Sequence, residues 1–337
     1  TKSGAIDTLT TGINAGSDKD GREIIVQGHV YGVNYGIIFG LAGEGAGHIV
    51  VEKGGDVGSA NTAVLSQGDG QKIVVDGRIT AMDGVVSYGA GANFVNNGKF
   101  DVSNAGVQFA NGGGRFVNNG EMFAEAAVAA QDGIVDGRIV VINNGLMETT
   151  KGAIQLNTDG GHVIKNTGTI KSYLSGGDGR DRFINDGGKV TGDIDLRDGN
   201  DLYVVDRSGL KVTEQSNYGT DTVRASADFT LGDNIEKLIL TGKADIHAAG
   251  SSDDNRIQGN SGDNRIDGWG GDDLLMGRDG ADIFVFSYHG GSDEILDFKG
   301  SQDRIDMRGW SSYGLENFAD VKAKAVQMGD DLLLSNG

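Results

Sequence analysis

The sequence predicts an all-β parallel solenoid, and three observations carry that prediction. Residues 250–285 divide into four consecutive nine-residue units, GSSDDNRIQ, GNSGDNRID, GWGGDDLLM and GRDGADIFV. Residues 22–172 repeat with a longer period, their turn glycines lying 21 to 25 residues apart. Glycine makes up 59 of the 337 residues, with no proline and only 7% aromatic residues. That is too much glycine for an ordinary compact core, and it lacks the Gly-X-Y period of collagen. Stacked short coils with glycine corners and a narrow aliphatic interior fit it.

The first half is a β-helix by its punctuation. REIIVQGHV, GHIVVEKGGDV, QKIVVDGRIT, NFVNNGKFDV, RFVNNGEMFA, IVVINNGLME and HVIKNTGTIK succeed one another, with Gly54, Gly77, Gly98, Gly120, Gly145 and Gly168 at the turns. A second short strand follows each, from YGIIFG to GAIQLNTDG. β-branched runs bounded by glycine and asparagine indicate strands rather than helices. Asn96, Asn97, Asn118, Asn119, Asn143 and Asn144 recur at one corner. Stacked in register, their amides would hydrogen-bond from coil to coil; a sugar-binding ladder is the alternative. This half resembles the VxNxGTIxG-type solenoid repeats of large exported proteins of Gram-negative bacteria.

From Ser175 the turns become acidic. Gly179/Asp181, Gly199/Asp201 and Gly219/Asp221 fall 20 residues apart, each followed by an inward candidate, Phe183, Tyr203 or Val223. One coil per repeat would stack Asp181, Asp201 and Asp221 on one edge, with a cation between successive turns.

The nonapeptides open with glycine, place Asn255, Asn264, Asp273 and Asp282 sixth, and place Ile257, Ile266, Leu275 and Phe284 eighth. Glycine permits left-handed turns that other residues resist. Turn carbonyls and the sixth-place side chain would converge between stacked turns. A hard cation with roughly 6–8 oxygen ligands suits such a spot, and calcium tolerates its irregularity better than magnesium. These units resemble the calcium-binding repeats of RTX proteins. The resemblance implies a calcium-loaded parallel β-roll, so the fold class reads as a right-handed parallel β-helix at 1–174 followed by an RTX β-roll at 175–337.

Two further stretches extend that likeness. Residues 219–242 are similar to the strand-rich connector that precedes RTX nonapeptides. Residues 282–307 are similar to the C-terminal module of serralysin-type proteases, which implies that Asp293 and Asp297 are calcium ligands or caps. Residues Glu316–Val326 are the one helix expected.

Charge supports cation dependence. Residues 1–173 carry a net charge of −5 and residues 174–337 a net charge of −14. Such self-repulsion asks for counter-ions, and it argues against nucleic acid or anionic membrane as partners. The chain has no cysteine, so no disulfide contributes. No apolar run approaches the roughly 18–20 residues that span a bilayer, and the start shows no cleavable signal. The termini, TKSGAID and DDLLLSNG, read as those of a piece of a longer protein.

Motifs for several chemistries are missing. His29, His48, His162, His247 and His289 do not form the H-E-x-x-H of a zinc protease, and G-x-S-x-G is absent. A polysaccharide-active β-helix would use carboxylates with basic residues on neighbouring coils. Asp76, Arg78, Asp83, Tyr88, Arg115, Asp136 and Arg138 are the candidates, with VDGRI occurring at both 75–79 and 135–139. Trp269, in a nonapeptide place usually held by a small residue, is a candidate exposed sugar contact. The preferred expectation is a secreted or surface-attached, calcium-folded structural or adhesive module of a Gram-negative bacterium, exported by a type I system. The alternatives are a carbohydrate-active enzyme with an RTX tail, and a self-associating surface-array or matrix subunit. Matrix or cell-surface polysaccharide is the expected macromolecular partner.

Overall fold

The structure, a computed structural model, describes residues 6–8, 11–15, 23–40, 46–130, 137–287, 290–307, 318–328 and 331–334. The chain forms two compact units, Thr1–Val223 and Arg224–Gly337. The repeats of both are built from parallel strands, as their sequences predict.

In the first unit each coil has three faces. The first face stacks Glu23–Val26, His48–Val51, Lys72–Val75, Ala92–Asn96, Gly114–Asn118, Ile139–Asn143, Val163–Asn166, Arg182–Asn185 and Leu202–Val205. The second face begins with Ile6–Thr8, His29–Gly32 and Asp56–Ser59, and the third with Thr11–Ala15, Tyr35–Phe39 and Thr62–Ser66. Two longer strands, Glu121–Ala130 and Leu146–Leu156, run through both of those faces, with a register shift between Ala124 and Ala126.

Register places like on like. Ile49, Ile73, Phe94, Phe116, Val141, Ile164, Phe183 and Tyr203 form one inward column on the first face. All eight are buried. Burying each stabilises the coil by about 1.5–3 kcal/mol, an upper estimate because the unfolded chain already hides some surface. Phe94 stacks on Phe109 of the third face at 5.5 Å between centroids, filling the interior between faces.

The asparagine corner is a structural ladder. Buried Asn96 donates through Nδ2 to Asn118 Oδ1 at 2.8 Å, Asn118 to Asn143 at 2.8 Å, Asn143 to Asn166 at 2.9 Å, and Asn166 to Asn185 at 2.9 Å. A second ladder runs outside it: Asn144 donates to Asn119, Asn119 to Asn97, and Asn97 to Asp76, each at 2.7 Å. The amides are thus used between coils.

The glycines beside this corner answer to crowding. A Cβ at Gly98 would stand 2.0 Å from the Gly77 carbonyl oxygen, and one at Gly120 would stand 2.0 Å from that of Gly98. The member of the column before Gly77 is Gly55, not Gly54. A Cβ at Gly77 would meet the Gly55 oxygen at 2.1 Å, whereas Gly54 has φ +90° and open space beside it.

The second unit has two-sided coils, two nonapeptides to a coil. Leu238, Ile257, Leu275 and Ile295 align on one side. Ala248, Ile266, Phe284 and Ile305 align on the other. Alternate nonapeptides therefore stack at 18-residue spacing, for example Ile257 on Leu275. The helix expected at 316–326 ends earlier, at Lys324. It spans Phe318–Lys324, and Ala325–Met328 pairs antiparallel with Asp331–Leu334. Pairing of Val326 with Leu333 takes the backbone out of the helix; Glu316 lies outside the described residues.

Candidate metal centre

The sixth-place side chains of the second unit form two columns. The Asn255 amide N–H donates to Asp273 Oδ1 at 2.8 Å, and the Asp273 N–H to Asp293 Oδ1 at 3.2 Å. On the other side Asn264 N–H donates to Asp282 Oδ1 at 2.8 Å, and Asp282 N–H to Asp303 Oδ1 at 3.0 Å. Each carboxylate therefore spends one oxygen on the previous coil. The other oxygen of Asp273 and of Asp282 is buried without a hydrogen-bond partner.

First-place glycines make room for this. A Cβ at Gly268 would lie 2.0 Å from Asp273 Oδ2, and one at Gly277 would lie 2.3 Å from Asp282 Oδ2. Positive φ falls elsewhere in the unit, at Gly271 and Gly280 in fourth place and at Trp269 and Arg278 in second place. Trp269, at φ +74°, is 61% exposed.

Asp297 is arranged differently from its neighbours. Its Oδ1 accepts from Gly277 N–H at 2.8 Å and its Oδ2 from Arg278 N–H at 2.7 Å. Both oxygens are occupied by backbone, which is the geometry of a cap.

In the first unit Asp181, Asp201 and Asp221 do form one column. Asp181 N–H donates to Asp201 Oδ1 and Asp201 N–H to Asp221 Oδ1, both at 2.8 Å. Asp181 accepts from the amides of His162 and Gly177. Asp201 Oδ2, like its counterparts in the other unit, is buried without a partner.

Buried carboxylates resist ionisation unless something compensates them. Burial pushes Asp201 up to about 8, with Asp181, Asp221 and Asp195 adding repulsion against the lowering hydrogen bond from Asp181. It likewise pushes Asp273 up to about 7 and Asp282 up to about 6, and raises Asp293. A cation would replace those protons. Orphaned oxygens, glycine-cleared space and an all-oxygen donor set fit a hard ion such as calcium rather than zinc or copper.

Two acids escaped the spacing argument. Asp303 completes the Asn264–Asp282 column. It precedes Arg304-Ile305 as Asn255 and Asn264 precede Arg-Ile in their own units, and that motif could have found it. Glu214 lies in the first unit, in phase with inward Val212.

The polysaccharide-active candidates do not converge. Arg78 pairs with Asp101 at 2.7 Å, Asp76 accepts from Asn97, and Asp83 accepts from Asn104. Arg115 and Arg138 line a shallow concavity of about 530 Å³ with Asn93 and seven glycines and alanines, and among the described residues no carboxylate lines it. Asp136 falls outside the described residues. The VDGRI echo is not a structural repeat, since Arg78 starts a second-face strand whereas Arg138 precedes a first-face strand.

Parallel stacking defines a β-solenoid, and its carboxylate columns suit a hard cation. Residues 249–284 match the RTX calcium-binding nonapeptide repeat in four copies. The chain is also 44% identical over 137 residues to the endo-1,3-1,4-beta-glycanase EglC of Rhizobium meliloti (strain 1021), covering 41% of this chain and 28% of that protein. The chain thus matches little more than a quarter of that relative's length. No solved structure matches it.

Proposed function

We propose that this chain is a calcium-folded structural module of an exported protein, with ions held at Asn255, Asn264, Asp273, Asp282 and Asp293 and along the Asp181–Asp201–Asp221 column. Asp297 acts as a cap. The observation that carries the reading is the set of buried, unpartnered carboxylate oxygens on Asp201, Asp273 and Asp282. Where calcium is scarce, the acidic coils repel one another and stay unfolded, a state suited to passage through a narrow channel. Outside the cell, calcium neutralises the carboxylates, and the free energy of binding becomes free energy of folding.

On this reading the secretory section starts with the acidic turns at 175, and the β-helix before it presents the working surface. The glycanase relative supports placing the module among proteins that meet polysaccharide. A calcium-free sample should lose the share of β-sheet circular dichroism that the acidic coils contribute and regain it on adding calcium but not magnesium. Retention of the full signal in chelator would remove the proposal.

A further inference from the structure

We propose a calcium site outside the nonapeptides, formed by Asp201, Glu214 and Asp221, in which Glu214 supplies the ligand that completes it. One carboxylate oxygen from each of these residues lies within 4.8 Å of the other two, and all three residues are buried. Two Ca–O bonds of about 2.4 Å span such a separation.

The position of Glu214 is the telling feature. Val212 bridges to Ile194 in parallel register, so Glu214, two residues on, falls where the preceding coil has Leu196. Leu196 is fully buried in the core. A glutamate in an inward aliphatic register costs several kcal/mol unless its charge is compensated. The neighbouring column is altered to match: Tyr203 stands in register with Phe183. Its hydroxyl donates to Glu214 Oε1 and accepts from the Leu196 amide at 2.8 Å.

Independent evidence for a ligand comes from Asp201. It is 2% exposed, its Oδ1 already accepts from Asp181 N–H, and its Oδ2 has no partner. Hard oxygen donors with three negative charges select calcium over softer metals. The competing occupant is a proton shared between Glu214 and Asp195, which are hydrogen-bonded to each other.

The test counts calcium ions per chain by isothermal titration at neutral pH, using the full chain. E214Q should bind one ion fewer than wild type, whereas a D273N/D282N double variant should lose ions but keep this one. E214Q with undiminished stoichiometry and affinity overturns the site and leaves the proton-sharing account. If E214Q does not fold, E214D keeps the charge and shortens its reach. One ion should then bind at least about 10-fold more weakly, the remainder being unaffected; an isotherm identical to wild type overturns the site. A double variant that loses no ion would instead sink the nonapeptide reading and leave this site standing.

Discussion

Replacing Asp282 by asparagine should have opposite effects with and without calcium. Asp282 is fully buried, and burial lifts its carboxyl from 3.8 to about 6. Between those two values the folded chain binds more protons than the unfolded one, so calcium-free stability falls as pH rises. Above about pH 6 the whole penalty is in force. At about 1.4 kcal/mol per pKa unit it amounts to roughly 3 kcal/mol. Asparagine removes the charge and keeps the shape, as Asn264 shows on the coil before, its Nδ2 donating to the Ile246 carbonyl at 3.1 Å. In chelator at pH 8, D282N should therefore fold at a lower concentration of a stabilising osmolyte than wild type, with the gap closing toward pH 4. In saturating calcium the order reverses, because the variant has lost a charged ligand. Equal or lower calcium-free stability at pH 8 would refute the desolvation argument.

Two other perturbations probe the β-helix. Asn118→Ala strands the Asn96 Nδ2 donor and the Asn143 Oδ1 acceptor, and should cost about 2–4 kcal/mol from unsatisfied buried groups. Asn119→Ala, on the exposed outer ladder, should cost under about 1 kcal/mol, and thermal unfolding would compare the two. Gly98→Ala drives a Cβ onto the Gly77 carbonyl and should lower the melting temperature more than Gly91→Ala, whose φ of +68° is strained but whose surroundings are open.

Legibility followed chemistry that repeats. The nonapeptides were readable because the eighth place keeps an aliphatic or aromatic residue in phase with an acid or amide two residues earlier. The ladder at Asn96, Asn118 and Asn143 was readable for the same reason. Positions set by close approach were harder to place. Gly54 and Gly55 are indistinguishable in sequence, and only the Gly77 contact identifies Gly55 as the column member. Glu214 was hidden because a single glutamate in a loop-like stretch signals nothing until register puts it beside Asp201 and Asp221. The helix end was missed because Ala325 and Val326 suit a helix locally, while pairing with Leu334 and Leu333 decides their conformation.

Hydrogen exchange with and without calcium tests the central claim most directly. The amides of Asn255, Asn264 and Asp282, each bonded to a column carboxylate, should be protected only with calcium. Those of Asn97 and Asn119, bonded to backbone carbonyls of the β-helix, should be protected in both conditions. Equal protection of the nonapeptide amides in chelator would contradict calcium-driven folding.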